Sequence, residues 1–273
     1  MANPAFHLSD FDAPDLSSAP LATPRVALTV VVPTLNAAPR LAAALQSVSF
    51  ADEIIVVDAG SSDDTLGVAR AHGAQVMSIG RTTIGMQRNA GIAAARNAWI
   101  LALDSDEVVT EELRASLARV CADQSPIGRA YKVRSRNWHL GRELRHGPWG
   151  RDWKVRVFSR DARFNAARVH ERIQSSAPVA ALDGALLHWP YDDLAHQIVK
   201  IAQYAKWSAE DMRAHGRHAH VRDIIARPIW RFVRDYVLFS GWRDGVAGFV
   251  VSVASAFSVF LKYASLWFSS EAV

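Results

Sequence analysis

Cysteine is almost absent from this sequence, and the common phosphate-binding motifs are missing. Cys121 is the only cysteine among 273 residues, so the chain forms neither an internal disulfide nor a cluster of thiolate metal ligands, and we expect a reducing compartment. The Walker sequence G-x-x-x-x-G-K-[ST] does not occur, and no G-x-G-x-x-G follows the first predicted strand. These absences argue against P-loop nucleotide hydrolases and against enzymes that bind dinucleotides through a glycine fingerprint.

The N-terminal residues contain neither a basic start nor a long apolar run. We therefore expect no secretory signal peptide, and we interpret residues 1–24 as a disordered tail. Half of the residues are hydrophobic and the formal charge is +4, so the chain is able to bury a substantial core. A mildly positive charge suits phosphate-bearing ligands or an anionic membrane surface, and we expect no nucleic-acid partner.

Apolar runs alternate with helical periodicity between residues 25 and 120, which is typical of an α/β sandwich. The first run, residues 26–33, is continuously apolar, as expected for a parallel strand that is buried on both faces, and residues 53–58 are expected to form a second buried strand. A predicted helix follows each strand. The predicted strands cover residues 26–33, 53–58, 74–79 and 99–104.

The pattern changes after residue 128. Shorter segments alternate apolar and charged side chains there, which favours antiparallel or mixed strands. A helix is predicted over residues 192–215. One face of this helix is expected to carry Leu194, Ile198, Ile201 and Ala205.

Three acids follow the fourth predicted strand in the stretch ILALDSDE, residues 100–107. Asp104 and Asp106 form a D-x-D pair next to Glu107, and Asp58 ends the second strand. Ligands of open α/β sheets bind outside the carboxyl ends of the strands. A divalent cation relieves the repulsion between close carboxylates, and Mg²⁺ often takes one or two carboxylates together with substrate phosphates. The pattern predicts a Mg²⁺ or Mn²⁺ site that binds a diphosphate; the alternative is a solvated, helix-capping loop.

Several longer segments resemble the nucleotide-sugar-binding half of inverting GT-A glycosyltransferases of family two. They are VVVPTLN, EIIVVDAGSSDDT and GMQRNAGIAAARNAWILALDSDE. Two later segments, RNWHLGRELRHGPWGRDWKVRVFSRDARFNAARVHERI and ALLHWPYDDLAHQIVKIAQYA, are similar to the subgroup of lipopolysaccharide-core β-1,4-glucosyltransferases. The resemblance covers residues 26–210 and implies a Rossmann-like three-layer α/β/α sandwich, the GT-A fold.

The resemblance also implies how the chain is divided. After the tail at 1–24, residues 25–127 would bind the nucleotide sugar, and residues 128–215 would bind the acceptor and complete the catalytic site. Residues 216–273 lie beyond the resemblance, and their own composition predicts a helical, membrane-associating extension.

On the donor side, the resemblance implies that Asp58 hydrogen-bonds the uracil or ribose of a UDP-sugar; the alternative is capping of the following helix. Pro33, Leu35 and Asn36 would shape the base pocket, although Asn36 is equally suited to a turn. Arg88 would contact the nucleotide or Glu107, with an ordinary surface position as the alternative.

The resemblance places the metal on the D-x-D pair. Asp106 would be the main ligand, Asp104 would face the ribose or the metal, and His188 would complete the metal or phosphate shell. Ser105 stands where the subgroup commonly carries alanine, and this change should not affect metal binding. We expect Ser105 to belong to the residues that bind the nucleotide sugar. The cation would neutralise charge on the departing UDP.

Inversion at the sugar carbon requires a carboxylate that removes the proton of the acceptor hydroxyl. Glu171 is the predicted base, because it stands where the family carries its acceptor-side acid, and Asp152 is the second candidate. An ion pair with a neighbouring arginine is the structural alternative for Glu171. Aromatic rings and basic side chains of the second half would meet the saccharide and its phosphates; each has a core or solvated position as its alternative. They are Trp138, Trp149, Trp153, Trp189, Arg134, Arg136, Arg142, Arg145 and His146.

The last residues combine a long apolar stretch, 245–268, with preceding arginines and aromatic residues, a composition typical of membrane interfaces. We expect helices that lie on or dip into the cytoplasmic leaflet of a bacterial inner membrane. A transmembrane span, a helical pair packed on the catalytic unit, and contact with a second copy in a homo-oligomer are the alternatives.

The sequence as a whole predicts a metal-dependent enzyme that moves a hexose, with glucose favoured, from a UDP-sugar to a hydroxyl of a lipid-linked saccharide such as lipopolysaccharide core. A polyprenyl-phosphate sugar transferase and a non-catalytic, membrane-recruited nucleotide-binding module are the competing hypotheses.

Overall fold

A computed structural model describes residues 25–123, 127–139, 141–165, 167, 171–174 and 179–270. The predicted tail at 1–24 lies outside these residues. In chain order the elements are β1 (Val26–Thr34), α1 (Ala38–Ser47), β2 (Ala51–Asp58), α2 (Thr65–Ala71), β3 (Gln75–Ser78), α3 (Ile84–Ala94), β4 (Trp99–Ala102), β5 (Glu107–Val109), α4 (Glu111–Cys121), β6 (Ala130–His139), β7 (Arg142–Leu144), β8 (Trp153–Ser159), β9 (Arg163–Phe164), β10 (Ile173–Gln174), β11 (Val179–His188), α5 (Leu194–Ala214), α6 (Val221–Phe232) and α7 (Gly245–Ser270).

One sheet connects both halves of the chain. Its strand order is β3-β2-β1-β4-β8-β6-β11-β5, with β7 paired to β6. The strands β1 to β4 are parallel, as predicted from their apolar runs. β8 pairs antiparallel to both β4 and β6, so the second half extends the sheet with mixed strand directions, as the alternating segments indicate. β9 and β10 form a separate antiparallel ribbon.

The parallel strands β1, β2 and β4 are buried on both faces, whereas the edge strand β3 is not, since its Gln75 and Ser78 are exposed. Val30 and Leu101 pack with residues of α1 and α4 on one face. Val31 and Ile100 pack with Ile92 of α3 on the other. Successive strand residues point to opposite faces, so the continuous apolar runs serve two cores at once. The predicted three-layer α/β/α architecture is confirmed.

The short strand β5 was not predicted by the sequence pattern. β5 pairs antiparallel with β11, so that Glu107 lies opposite His188. β11 also pairs parallel with β6, so that His188 lies opposite Asn137. Three strands that are distant in sequence therefore place these three residues in one row across the sheet.

Helix α5 begins with the predicted boundary but presents a different face. Asp193 caps it by accepting a hydrogen bond from the amide of His196. The buried stripe is Gln197, Ile201, Ala205 and Ala209, whereas Leu194 and Ile198 are 47% and 48% exposed. Only half of the predicted apolar face is therefore buried, because Gln197 faces the sheet and hydrogen-bonds His139 of β6 (2.8 Å).

The C-terminal extension folds back on the rest of the chain. Ala247 and Val251 of α7 pack against Leu144, and Leu266 packs against Ala209 of α5. The helical stretch Gly241–Phe268 is long and apolar enough to cross a membrane, with a mean hydropathy of 1.8. Large apolar side chains of the extension nevertheless remain exposed; they include Ile225, Ile229, Trp230, Trp242, Phe249, Val253, Phe257 and Phe260.

Candidate active site

The acids of the 104–107 stretch lie at the carboxyl end of β4, beside the end of β1. The amide of Glu107 hydrogen-bonds the carbonyl of Asp104 (3.0 Å), and the Glu107 carboxylate accepts the Asp104 amide (3.0 Å). Glu107 is fully buried. Helix α4 is capped by Thr110, so the interpretation of these acids as a solvated, helix-capping loop is wrong.

Two buried arginines neutralise this turn. Arg156 of β8 binds Asp104 and Glu107, and Arg88 of α3 binds Asp104 and Glu171. Each arginine is only 4% exposed. Arg88 thus contacts Asp104, and not the predicted Glu107, and it does not occupy an ordinary surface position.

The same arginines keep the turn ionised. Burial alone raises the pKa of a carboxyl group. For Asp104, the positive charge of Arg156 and then that of Arg88 outweigh burial and hold the pKa well below its ordinary value. For Glu107, burial is outweighed chiefly by Arg156, which leaves the pKa lowered. Both acids therefore stay negative at neutral pH.

Asp106 and His188 lie together beside this network. His188 Nε2 is 3.7 Å from Asp106 Oδ1, and both side chains are partly accessible. The amide of Trp189 also hydrogen-bonds the carbonyl of Asp106 (3.2 Å), which fixes the two chain segments against each other. Burial lowers the pKa of His188, although Asp106 opposes this effect, so the imidazole is neutral at neutral pH and suited to ligation.

A divalent ion fits Asp106 and His188 better than it fits Asp104. No group of three His, Cys, Asp or Glu side chains is arranged for a metal within the described part of the chain. Asp104 instead accepts hydrogen bonds from two guanidinium groups. Two protein ligands are nevertheless enough for Mg²⁺ or Mn²⁺ when substrate phosphates complete the shell.

Both candidate bases are close to the network. Glu171 forms an ion pair with Arg88. An ion pair with an arginine is the structural alternative to catalysis that the sequence allowed for Glu171. That ion pair also brings Glu171 to the turn that carries the D-x-D sequence. Asp152 Oδ2 is 3.5 Å from Lys154 Nζ, and the same ammonium is 3.5 Å from Glu107 Oε1. The predicted catalytic roles of Glu171 and Asp152 stay predictions.

The Asp58 carboxylate is hydrogen-bonded to the loop that follows β2. The carboxylate accepts hydrogen bonds from the amides of Gly60 and Ser61 and from the hydroxyls of Ser61 and Thr34. These bonds use the acceptor positions of the carboxylate, so a uracil or ribose donor would have to displace one of them. Helix α2 begins after Asp64, so Asp58 does not cap it.

The other predicted donor-pocket residues lie at the end of β1. Pro33 is buried in the strand, and Leu35 is 48% exposed. Asn36 has a φ of +52°, a conformation that asparagine tolerates. Its side chain accepts the amide of Ser62 (2.8 Å), so the turn-forming role is observed. Ser105 is half-buried within the acidic turn.

The predicted acceptor residues are partly occupied by other contacts. Trp138 stacks on Trp189, with ring centroids 5.0 Å apart, and Arg136 lies 5.2 Å from the Trp138 centroid. Arg136 and Arg145 both pair with Glu143. Four of the remaining predicted residues also have internal contacts: Arg134 with Gly150, His146 with Asp244, Trp149 with His139 and Tyr191, and Trp153 with Lys132. The fifth, Arg142, is exposed.

Sequence reasoning missed several residues of the site. Ser135, Asn137 and His139 form a buried polar row on one face of β6, and the alternation in SRNWH is the signal that was available for them. Lys200 and Tyr204 of α5 lie near the acids. Burial lowers the pKa of Lys200, and Asp106 opposes this shift; burial raises the pKa of Tyr204, and Asp104 and Asp106 add to the shift. Arg156 completes the missed set.

Comparison with known proteins identifies the family of the chain. The family model of Glycosyl transferase family 2 matches residues 29–177. An uncharacterized glycosyltransferase of Rickettsia felis is 25% identical over 88% of this chain and 89% of its own length. The lipopolysaccharide core biosynthesis glycosyltransferase LpsC of Rhizobium meliloti is 25% identical over 89% of this chain and 93% of its own length.

Among solved structures, residues 1–349 of S. aureus TarS share 14% identity with this chain, with a TM-score of 0.43 over 90% of this chain and 92% of that one. The family model alone spans more than half of the sequence and includes the acidic turn, both buried arginines and Glu171. The chain therefore belongs to Glycosyl transferase family 2 and is a glycosyltransferase.

Proposed function

We propose that this glycosyltransferase moves a hexose, with inversion, from a UDP-sugar to a hydroxyl of a lipid-linked saccharide such as lipopolysaccharide core. The single observation that carries the proposal is the position of Arg88, which binds Asp104 and Glu171 at once. Arg88 thereby connects the acidic turn of the first half to Glu171 of the second half. An inverting transfer needs a base on the acceptor side, close to the groups that bind the leaving diphosphate.

On the leaving-group side, Asp106 and His188 would hold Mg²⁺ or Mn²⁺ together with the diphosphate. The bound cation would supply a Lewis acid for the charge that develops on UDP. The chain's own cations, Arg88 and Arg156, keep Asp104 and Glu107 from adding uncompensated negative charge near the diphosphate.

On the acceptor side, we assign the general base to Glu171. The guanidinium of Arg88 orients its carboxylate. The next residue, Arg172, is held by Asn165: the Asn165 amide donates to the Arg172 carbonyl (3.0 Å), and the Arg172 amide donates to Asn165 Oδ1 (2.9 Å). Asp152 is the second candidate, because its carboxylate lies beside Lys154 at the same end of the sheet. A base within hydrogen-bond reach of the acceptor hydroxyl commonly contributes a factor of about 10² to 10⁴ in rate.

The acceptor class rests on the relative from Rhizobium meliloti, which is named for lipopolysaccharide core biosynthesis. The exposed apolar side chains of α6 and α7 support attachment to a membrane surface, and we assign this surface to the cytoplasmic face of the bacterial inner membrane. Trp230 and Trp242, which are 59% and 56% exposed, are suited to the headgroup level of a bilayer.

The decisive measurement follows UDP release by the purified chain, with a panel of UDP-hexoses and lipopolysaccharide-core acceptors, with and without Mn²⁺. We expect UDP-glucose to support turnover, Asp106→Ala to abolish it, and Glu171→Gln to lower kcat about 10² to 10⁴-fold. Asp152→Asn is the matched control and should retain most of the rate.

Different outcomes would redirect the proposal. If Glu171→Gln kept full activity on a polyprenyl phosphate, the polyprenyl-phosphate sugar transferase would be favoured, because a phosphate acceptor needs little base catalysis. If Asp152→Asn alone abolished turnover, the base would be Asp152. If no UDP-sugar supported turnover, the proposed donor would be wrong.

Membrane attachment has its own measurement. Full-length chain should sediment with vesicles of phosphatidylethanolamine and phosphatidylglycerol, and less so as salt is raised, because screening weakens the attraction of the basic residues. The double variant Trp230→Ser, Trp242→Ser should sediment less. Sedimentation that is equal on neutral and anionic vesicles would contradict the electrostatic part of the proposal.

A further inference from the structure

Asn137 of β6 lies directly beside His188 in the sheet. The parallel pairing of β6 with β11 opposes the two residues, so their side chains leave the same face of the sheet. Asn137 is 1% exposed. The sequence pattern gave this asparagine no role, and the proposed transfer does not yet use it.

The orientation of the Asn137 amide is determined by its neighbours. Its Nδ2 donates a hydrogen bond to the backbone carbonyl of Trp149 (2.8 Å). A carbonyl oxygen only accepts, so the amide nitrogen has to be on that side. The amide oxygen therefore faces the other way, where it receives the Ser135 hydroxyl (3.2 Å) and lies 2.6 Å from His188 Nδ1.

The amide oxygen of Asn137 in turn determines the tautomer of His188. Because Asn137 Oδ1 has no proton to give, the short contact requires the proton on His188 Nδ1. A neutral imidazole then carries its lone pair on Nε2, the nitrogen that faces Asp106 Oδ1 at 3.7 Å. Histidines that bind metals usually donate their other ring N–H to an oxygen in this way.

We propose that Asn137 is a positioning residue that holds His188 as the Nδ1–H tautomer, so that Nε2 and the Asp106 carboxylate together receive a divalent cation. This inference rests on the proposed function, because it requires that Asp106 and His188 are the metal pair. It assigns the buried row of β6 a purpose beyond packing: Ser135 and the Trp149 carbonyl hold the amide, and the amide holds the imidazole.

The tautomer is measurable on the unmodified protein. Long-range ¹H–¹⁵N correlation spectra of the full chain at pH 7.5, without metal, distinguish a protonated Nδ1 from a protonated Nε2. The variant His188→Gln assigns the signal. We expect protonation at Nδ1; a proton at Nε2 in the wild-type protein would overturn the inference without any variant of Asn137.

Metal binding tests the consequence. Free Mn²⁺, followed by electron paramagnetic resonance, is titrated with protein in the presence of UDP and the absence of any sugar donor. Loss of such an outer-shell partner weakens metal binding about 10- to 100-fold, so we expect a loss of this size in Asn137→Leu. Asn137→Asp retains an acceptor oxygen and should restore most of the affinity. Ser159→Ala changes another buried serine, on β8 opposite Trp99 of β4, and is the matched control, which should bind Mn²⁺ as the wild type does.

The results separate this inference from the proposed function. If Asp106→Ala and His188→Ala lose Mn²⁺ while Asn137→Leu binds it as well as the wild type does, the positioning role is wrong and the metal pair stands. If Asp106→Ala and His188→Ala also bind Mn²⁺ normally, the metal pair itself is wrong. If Asn137→Leu does not fold, as judged by circular dichroism, the tautomer of the wild-type protein and the Asn137→Asp titration decide the question.

Discussion

The two halves of the sheet bury different kinds of side chain. In the first half, β1 and β4 contribute mainly apolar residues to both faces, and the acids of the 104–107 turn lie where β4 ends. A buried acid within a strand there, Glu53 of β2, accepts a hydrogen bond from Thr29 (2.6 Å). In the second half, β6 and β8 carry polar and charged residues inside the sheet itself. Asn137 and Arg156 are 1% and 4% exposed. The first half is therefore a scaffold, and the second half carries the groups that hold the acids in place.

This difference shows that the acids of the site and most of the cations that neutralise them come from different halves of the chain. A buried carboxylate without a partner is strongly unfavourable, and in practice it takes up a proton. The first half supplies Asp104, Asp106 and Glu107, and the second half supplies Arg156 and Lys154. Neither half forms the site alone, although α3 of the first half adds Arg88. The following changes test that division.

The largest effect is expected for Arg156→Met, which removes a buried cation and keeps a similar volume. Removing one partner of a buried ion pair typically costs about 3 to 5 kcal/mol, because the other charge stays buried. We expect a loss of that size in the free energy of unfolding, measured by urea denaturation, and a loss of transferase activity. The exposed Arg142→Met is the control, with a change of about 0.5 kcal/mol or less. Similar losses in both variants would contradict the division.

Leu101→Ala probes the scaffold half. Leu101 is fully buried in β4, and truncation of a buried leucine costs about 2 to 5 kcal/mol. We expect the free energy of unfolding to fall in that range, whereas the folded fraction at low temperature should retain its kcat. A fall in kcat without a fall in stability would show that β4 does more than support the acidic turn.

Asp58→Asn tests the charge at the tip of β2. Burial raises the pKa of Asp58, but the donated hydrogen bonds outweigh it and leave the pKa below its ordinary value. The carboxylate therefore stabilises the fold above the ordinary pKa of about 3.9, and this contribution is lost as the pH falls through the folded-state pKa.

Relative to the wild type, Asp58→Asn should be less stable at pH 7, by about 1 kcal/mol, and the difference should shrink as the pH falls below 4. Urea denaturation at a series of pH values measures both quantities. The exposed Asp161→Asn serves as the comparison and should show no such convergence. A stability difference that stays constant across the series would argue against an ionised Asp58 in the folded protein.

The smallest effect is expected for Arg136→Gln. The side chain of Arg136 is 39% exposed and pairs with Glu143, and exposed ion pairs contribute about 0.2 to 1 kcal/mol. We expect a change within that range in thermal unfolding and an unchanged KM for the donor. A larger KM for the saccharide acceptor would restore the phosphate-binding role that the sequence suggested for this arginine.

Local patterns allowed much of the scaffold to be predicted. The apolar run around Val30 and the one around Leu101 are long, continuous and bounded by turn residues, so strand and burial follow from composition. Asp104 and Asp106 were recognised because they follow such a run. Arg156 was not recognised, because an arginine in a strand of alternating apolar and charged residues is normally expected to face solvent. Its partner Asp104 precedes it by 52 residues, and nothing in the local pattern links the two.

The sequence by itself determined the parallel strands, the three-layer architecture, the acidic turn and the membership of the glycosyltransferase family, because these depend on local periodicity and on motifs of neighbouring residues. Only the tertiary structure decided which buried cations meet those acids, which face of α5 covers the sheet, and which nitrogen of His188 faces Asp106. Those features depend on strand register and on contacts between distant segments. A one-residue shift in register would turn each side chain to the opposite face.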